Sequence, residues 1–451
     1  MLGLLILLRR LVLCPGRGFF AKNFTWSLFF FSALALAQEE IVQEKIIDIR
    51  FVGNTVTQAQ VMRREMVVHI GDPADPGRIE TSRQAIMDLG LFKEVKAELL
   101  PADGGKILQV AVEEKYYFLP LPFVNRNADG DISYGGQLRL DNIAGLNQQM
   151  KLTYEKQQSA AANTNSAKDL SFSYSYPRIM GTPYNIDFSA DNTRNEIDVI
   201  TSGIPTAQYN HEGTNLNLQV SRFFKREGPS RGWRAGGGIV RNEDKYQYVS
   251  GTPDVYANSR TTAWTGLIDY TDVRDYLYSR AGESYGYNIE RGLSGLGSDY
   301  KYVRHNFYFR NYKLVTEKPH HNLNLQLRLG FSDGVPRDAF FLGNSDAFFL
   351  GGSDTLRGYE RNSISGRSFA LANVEYLAPL FDQKQVRGVI FMDVGNAYPS
   401  NHIDLLDLKT SIGVGLRFTL RSFVKLQLRV DLGYALNAGS KKAYGGSRDT
   451  F

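Results

Sequence analysis

The feature that most constrains this chain is a period of two that runs, with turns between, from about residue 131 to the C-terminus. In the stretch NLNLQLRLGF, Leu323, Leu325, Leu327, Leu329 and Phe331 share one face of an extended strand. Asn322, Asn324, Gln326, Arg328 and Gly330 share the other. FVKLQLRVDL repeats the design, with Val424, Leu426, Leu428, Val430 and Leu432 against Lys425, Gln427, Arg429 and Asp431. LSFSYSYP, NLNLQVS and SIGVGLRF follow the same rule. A soluble β-sandwich also buries one face and wets the other, so alternation alone does not decide. Here the polar face carries large charged groups and many strands run to nine or more residues. Tyr and Phe are abundant, at 25 and 27, and the loops are rich in Gly, Asn and Asp. Those features describe a transmembrane β-barrel, apolar outside and polar inside. A closed barrel also satisfies every backbone N–H and C=O without water.

Counting candidate strands gives ten between residues 131 and 333, one in the Phe-rich stretch near 339–350 and five after 366, sixteen in all. An even number returns both termini to one side of the membrane.

The N-terminus obeys a different rule. Basic residues precede the apolar run FTWSLFFFSALALA, and ALA-QEE follows, the order of a secretory signal cleaved after Ala37. We therefore expect residues 1–37 to be a signal peptide; a signal anchor is the alternative reading. Cys14, the only cysteine, follows Leu13, which is too large for the residue before a lipidated cysteine. Four of the 52 basic residues (Arg9, Arg10, Arg17, Lys22) and none of the 47 acidic ones fall in this leader. The rest of the chain is nearly neutral and carries no basic stripe, which argues against nucleic acid as a partner.

Residues 44–117 read as mixed α/β in the order β-α-α-β-β. KIIDIRFVGN alternates into a turn at Gly53 and Asn54, and TQAQVMRREMV has helical spacing with Thr57 as its expected N-cap. IETSRQAIMDLG is a second helix stopped by Gly90; EVKAELLP and KILQVAVEEK are strands around the turn ADGG. The segment resembles a polypeptide-transport-associated (POTRA) domain, with IRFVGN, LGLFKEV and LQVAVEE at that family's landmarks.

No catalytic constellation stands out. The histidines show no metal spacing beyond the adjacent His320 and His321, GLSGLG and AGGGIV have no following helix to hold a phosphate, and no nucleophile elbow is present. The chain is expected not to be an enzyme and to use neither metal nor cofactor.

One loop invites a specific role. In GGSDTLRGYE, Arg357, Gly358 and Tyr359 follow two glycines. In VRGVIFMDVGNAY, Ile390, Met392 and Val394 form the apolar face, which turns Asp393 and Gly395 toward the lumen. A loop folded inward would bring Arg357 within reach of Asp393, a charge-assisted pair that can be bidentate. From pattern alone, a solvated arginine and an unrelated lumen carboxylate explain the residues equally well.

The loop is similar to the (V/L)-R-G-(F/Y) motif of the BamA/TamA outer-membrane assembly superfamily, and FMDVGNAY to its F-x-D-x-G strand. DYTDVRDYLYSRAGESY resembles that family's Asp-rich strand-turn-strand segment, and SIGVGLRF its fourteenth strand. The resemblance implies a mainly β protein with a POTRA domain in the periplasm (44–117) and a 16-stranded barrel in the outer membrane (131–451). It implies a protein that inserts other barrels or translocates polypeptide, and an arginine loop that reaches into the lumen. The partners it implies are unfolded client proteins, outer-membrane lipid, and periplasmic or lipoprotein accessory subunits. A polypeptide secretion pore of the two-partner type is the alternative. That class usually has two POTRA units and a plug helix, neither of which is legible between Gln38 and Lys45. The final segment KKAYGGSRDTF ends in an aromatic but alternates poorly. The expected seam therefore lies between Ile132 and Tyr134 on the first strand and Tyr444 and Phe451 on the last. Clients are expected to add to the POTRA sheet near KILQVAVEEK.

Overall fold

The computed structural model describes residues 44–126, 132–158, 167–201, 204–228, 231–253, 257–315, 320–334, 348–381, 383–424 and 426–446. The expected signal peptide and Phe451 lie outside them.

The N-terminal domain comprises β1 (Ile46–Val52), α1 (Ala59–Arg63), α2 (Pro76–Met87), β2 (Phe92–Ala102) and β3 (Gly105–Glu114). Asp75 caps α2 by accepting from the Gly77 amide at 3.1 Å, and Pro76 supplies the fixed φ of a first helical residue. Thr57 is not the cap of α1: Gln58 occupies that position, and the Thr57 hydroxyl instead accepts from Asn142 Nδ2 at 2.8 Å. The helices bury Val61, Met62, Ile79 and Ile86 against Ile46, Ile49, Phe92, Leu108 and Val110 of the sheet and Leu91 just before β2. The Glu114 carboxylate gathers the amides of Thr55, Val56 and Thr57 and so closes the loop before α1.

The sheet order β1-β3-β2 corrects one expectation. β3, which contains KILQVAVEEK, is the central strand, parallel to β1 and antiparallel to β2, so it has no free edge. The start of β1 is bonded by residues 71–74. Among the described residues no strand pairs with the outer edge of β2.

The barrel sheet begins thirteen residues earlier than read from sequence, at β4 (Phe118–Arg126). Then come β5 (Ile132–Ile143), β6 (Gln148–Gln158), β7 (Ala167–Tyr176), β8 (Tyr184–Thr201) and β9 (Ile204–Gly228). β10 (Arg231–Gly251), β11 (Ser259–Asp275), β12 (Arg280–Gly292), β13 (Tyr302–Leu314) and β14 (Asn322–Gly334) continue the meander. A short hairpin, β15 (Phe348–Leu350) and β16 (Ile364–Gly366), stands apart as its own sheet. β17 (Ser368–Leu380), β18 (Gln383–Tyr398), β19 (Lys409–Thr419), β20 (Gln427–Ala435) and β21 (Lys441–Gly446) complete sixteen antiparallel strands. The number matches the expectation, but its composition does not. Of the Phe-rich stretch, the described residues Phe348–Leu350 form β15, outside the barrel sheet, and β4 supplies a strand that the count did not include.

Pro120 and Pro122 hid β4 from the sequence reading, because proline is confined to edge strands. β4 is such an edge. Tyr117 O accepts from the Asp141 amide at 2.7 Å, and the register continues from Phe118↔Leu140. The odd residues therefore exchange bonds with β5, and both proline nitrogens point to the free side. Ile132 and Tyr134 consequently lie in the second strand of the sheet, not at the seam. β4 and β21 end the strand order and do not pair with each other among the described residues.

Alternation sets the two faces as expected. Leu323, Leu327 and Leu329 are exposed, while Asn322, Gln326 and Ser332 are buried. In β20, Leu428, Val430 and Leu432 point out and Arg429 and Asp431 point in. Val424 and Leu426 depart from this pattern: both precede β20 and are buried, Val424 in the POTRA core. Other turns on the same rim meet the POTRA domain too. Gln58 N donates to Gly145 O at 3.0 Å, Arg178 pairs with Glu65 at 3.4 Å, Asp275 N donates to Asp88 Oδ1 at 3.2 Å, and Tyr116 N donates to Ser422 O at 2.7 Å.

Candidate functional site

The arginine loop lies inside the sheet. Gly351 and Gly352 turn the chain with φ of +103° and +99°, after which Leu356 and Tyr359 pack with Leu350, Ile364, Phe369, Leu371 and Ala435. This apolar cluster fixes the base of the loop and leaves Arg357 to the polar wall.

Arg357 and Asp393 are both 0% exposed. The pair is bidentate, with Arg357 Nε donating to Asp393 Oδ2 at 2.8 Å and Nη2 to Oδ1 at 2.7 Å. The Arg357 amide also donates to Oδ2, at 3.1 Å. Nη1 donates to Glu375 Oε1 at 2.5 Å and lies 3.5 Å from Asp431 Oδ2. A second guanidinium completes the cluster: Arg417 donates to Glu375 at 3.0 Å and to both oxygens of Asp431 at 2.5 and 3.2 Å. Asn373 Nδ2 bridges Asp393 Oδ1 at 2.8 Å and Thr355 O at 2.7 Å, tying the loop backbone to β17. Burial works against the charge on Arg357, but the hydrogen bonds and charge of Asp393, followed by Glu375 and Asp431, outweigh it. They hold the guanidinium's pKa above its ordinary value.

The wall is shaped to receive the loop. Glu375, Phe391, Gly413 and Gly433 stand side by side in register across β17–β20. A Cβ on Gly413 would sit 2.2 Å from Phe391 Cζ, so the missing side chain lets the ring lie along the wall. The Arg357 guanidinium then rests 3.4 Å from the centroid of that ring. Gly358 and Gly433 meet backbone to backbone: a Cβ on Gly433 would come within 2.7 Å of the Gly358 amide, and Gly358 itself has φ +94°.

Gly358 N donates to Tyr444 Oη at 2.9 Å, and Tyr359 Oη bonds Asn437 Oδ1 at 3.2 Å. Gly395 lies in β18, two residues beyond Asp393, and is buried. The structure thus assembles Arg357, Gly358, Tyr359, Asp393 and Tyr444 in one place; Ile132 and Tyr134 are elsewhere. The sequence reading missed Glu375, Arg417, Asp431, Asn373 and Phe391. The signal for four of them was inward parity: Glu375 and Asn373 flank outward Val374, Arg417 follows outward Leu416, and Asp431 lies between outward Val430 and Leu432. Phe391 shares the inward parity of Asp393, but an apolar ring at that position carries no hint of a cation above it.

Comparison with known proteins gives a consistent result. Residues 142–445 match the Omp85 superfamily domain, and residues 44–115 match the POTRA family described as surface antigen variable number repeat. The outer membrane protein assembly factor BamA of Neorickettsia risticii (strain Illinois) is 25% identical over 427 residues. That alignment covers 88% of this chain and 53% of the relative, so the chain spans about half the length of that protein. Among solved structures, BamA from Haemophilus ducreyi lacking POTRA domains 1–3 aligns with a TM-score of 0.52 at 17% identity, covering 89% of this chain and 84% of that one. CdiB from Escherichia coli aligns with a TM-score of 0.63 at 14% identity, covering 90% and 77%. CdiB from Acinetobacter baumannii gives 0.61 at 16%, covering 89% and 73%.

Proposed function

The chain belongs to the Omp85 superfamily, and from that premise we propose that it is an outer-membrane assembly factor that inserts client β-barrel proteins at the seam between β4 and β21. The POTRA domain, in the periplasm, receives unfolded client segments, which add as strands to the free outer edge of β2. The client then passes to the barrel seam, where two strands that end the sheet leave unpaired backbone groups. No catalytic chemistry or cofactor enters this scheme. Client polypeptide and outer-membrane lipid are its partners, and accessory subunits would extend the POTRA platform.

The observation that carries the reading is the contrast between lumen and edge. The Arg357 loop is locked in the interior by buried ion pairs, whereas among the described residues no strand pairs with the outer edge of β4 or of β21. A secretion pore, the alternative, requires a route through the interior, where the loop and its apolar base stand.

Depletion of the protein followed by quantitative proteomics of outer membranes tests the proposal. A broad loss of barrel proteins is expected. Loss of a single secreted polypeptide, with barrel proteins intact, would establish the pore instead, and an unchanged proteome would overturn both.

A further inference from the structure

β21 is weakly held as a strand. Its six residues pair only with β20, from Arg429↔Gly446 to Tyr434↔Lys441, and it ends the strand order. None of the apolar clusters among the described residues includes a residue of β21. Two of its six residues are glycines, Gly445 and Gly446, which offer nothing to pack.

What the strand does have is the arginine loop. The Tyr444 hydroxyl accepts from the Gly358 amide and donates to the Tyr359 carbonyl, each at 2.9 Å. Ser440, in the turn entering β21, donates to the Gly358 carbonyl at 2.7 Å. Both backbone polar groups of Gly358 are thus bonded by the last hairpin, one residue from the guanidinium that Asp393 and Glu375 hold. Because Gly358 lies flat on Gly433 of β20, the loop reaches β20 and β21 together.

We infer that Tyr444 is a positioning residue that makes seating of the last strand and docking of the arginine loop one equilibrium. A docked loop presents the Gly358 amide and the Tyr359 carbonyl where a single hydroxyl can use both, and β21 stays against β20. When the loop leaves Asp393, the hydroxyl loses both partners and β21 keeps its ladder to β20, with Lys441 over the Tyr434 ring. Linkage makes the effect reciprocal: a strand that leaves β20 removes the acceptor of the Gly358 amide and loosens the loop. The inference adds a control element to the proposed insertase and rests on that reading only for its use. Its test involves no client.

Amide hydrogen exchange of the full-length protein in lipid nanodiscs reads both partners at once, through peptides covering Gln427–Gly446 and Gly351–Ser363. Tyr444→Phe keeps the ring and removes the hydroxyl, leaving a confined amide without its acceptor. Exchange in both peptides is expected to rise roughly tenfold. Arg357→Lys, a residue with no bond to β21, is expected to raise exchange in β21 as well. The double variant should exchange no faster than the faster single one. Faster exchange of β21 with an unchanged loop in Tyr444→Phe would reduce Tyr444 to a local contact and overturn the inference. So would an Arg357→Lys protein whose β21 exchanges as in wild type. If Arg357→Lys does not assemble, the loop peptide of Tyr444→Phe decides alone. The depletion experiment is independent of both: coupled exchange with an unchanged proteome would sink the insertase reading and keep the clasp.

Discussion

The POTRA domain and the barrel wall solve burial in opposite ways. In the POTRA domain, Leu91, Phe92, Leu108 and Ile86 are inside and the ion pairs Arg83–Glu80 and Lys93–Glu113 sit at the surface. In the barrel wall, Leu323, Val414, Val430 and Leu432 are outside, and Arg357, Arg417, Glu375, Asp393 and Asp431 are the buried residues. The same alternating strand builds both, so the difference lies in where the apolar face finds its partner. Helices cover it in the first case, and an apolar surrounding must cover it in the second. Once the apolar face is turned outward, less hydrocarbon is left for the interior, and directional ion pairs join the apolar cluster at the loop's base in holding the inserted loop.

That contrast can be broken at its strongest point first. Arg357→Ala leaves Asp393 and Glu375 buried without their main cation and should cost about 3–5 kcal/mol. Asp393→Ala should impair the protein similarly, and the double variant should lose clearly less than the sum, measured by urea titration in lipid vesicles. Additive losses would mean that the two residues do not act as a pair. A smaller difference sharpens the comparison through leucine. Leu108→Ala should destabilise the POTRA domain by about 3–5 kcal/mol, transfer and cavity together, whereas Leu329→Ala on the outer face leaves no cavity and should lose only the transfer part, about 2 kcal/mol. Equal losses at both positions would mean that the two apolar faces are held in the same way.

The smallest expected effect concerns pH. Burial raises the Glu114 pKa, but the hydroxyls and amides of Thr57, Thr55 and Val56 outweigh it, and the value falls below the ordinary 4.5. The native value is the lower one, so the stabilisation is complete above pH 4.5 and is lost as pH falls through the native value. Exchange of the loop before α1 should therefore rise at acid pH in the wild-type protein and be high at all pH in Glu114→Gln. Protection that persists unchanged at pH 3 in wild type would refute this assignment.

Alternation made most of the barrel legible, because a residue's parity in a strand is a local property. Leu323 to Leu329 and Asp393 were assigned to their faces from five or six neighbours each. What alternation could not supply was the set of contacts made by distant chain segments. Asp431 and Arg417 were visible as polar wall residues, yet nothing in their neighbourhoods shows that an arginine more than fifty residues earlier shares Glu375 and Asp431 with Arg417. Thr57 was misassigned for the same reason. A hydroxyl ahead of a helix suits an N-cap, and its real partner, Asn142, comes from the barrel. β4 was missed because two prolines contradict an interior strand, and only sheet order reveals that the strand is terminal.

Those two prolines give the seam a polarity. Along its open side β4 presents carbonyl oxygens at every even position but no amide hydrogen at Pro120 or Pro122. A neighbour laid there can give hydrogen bonds over the whole length and receive them only near the ends, at Phe118, Val124 and Arg126. Any strand that docks on β4, β21 included, must leave two of its own carbonyls facing pyrrolidine rings, at a loss of roughly 1 kcal/mol for each bond not made. A mate on β4 is thus held by two fewer hydrogen bonds than a strand of the interior ladder, and the deficit is written into the covalent structure of β4.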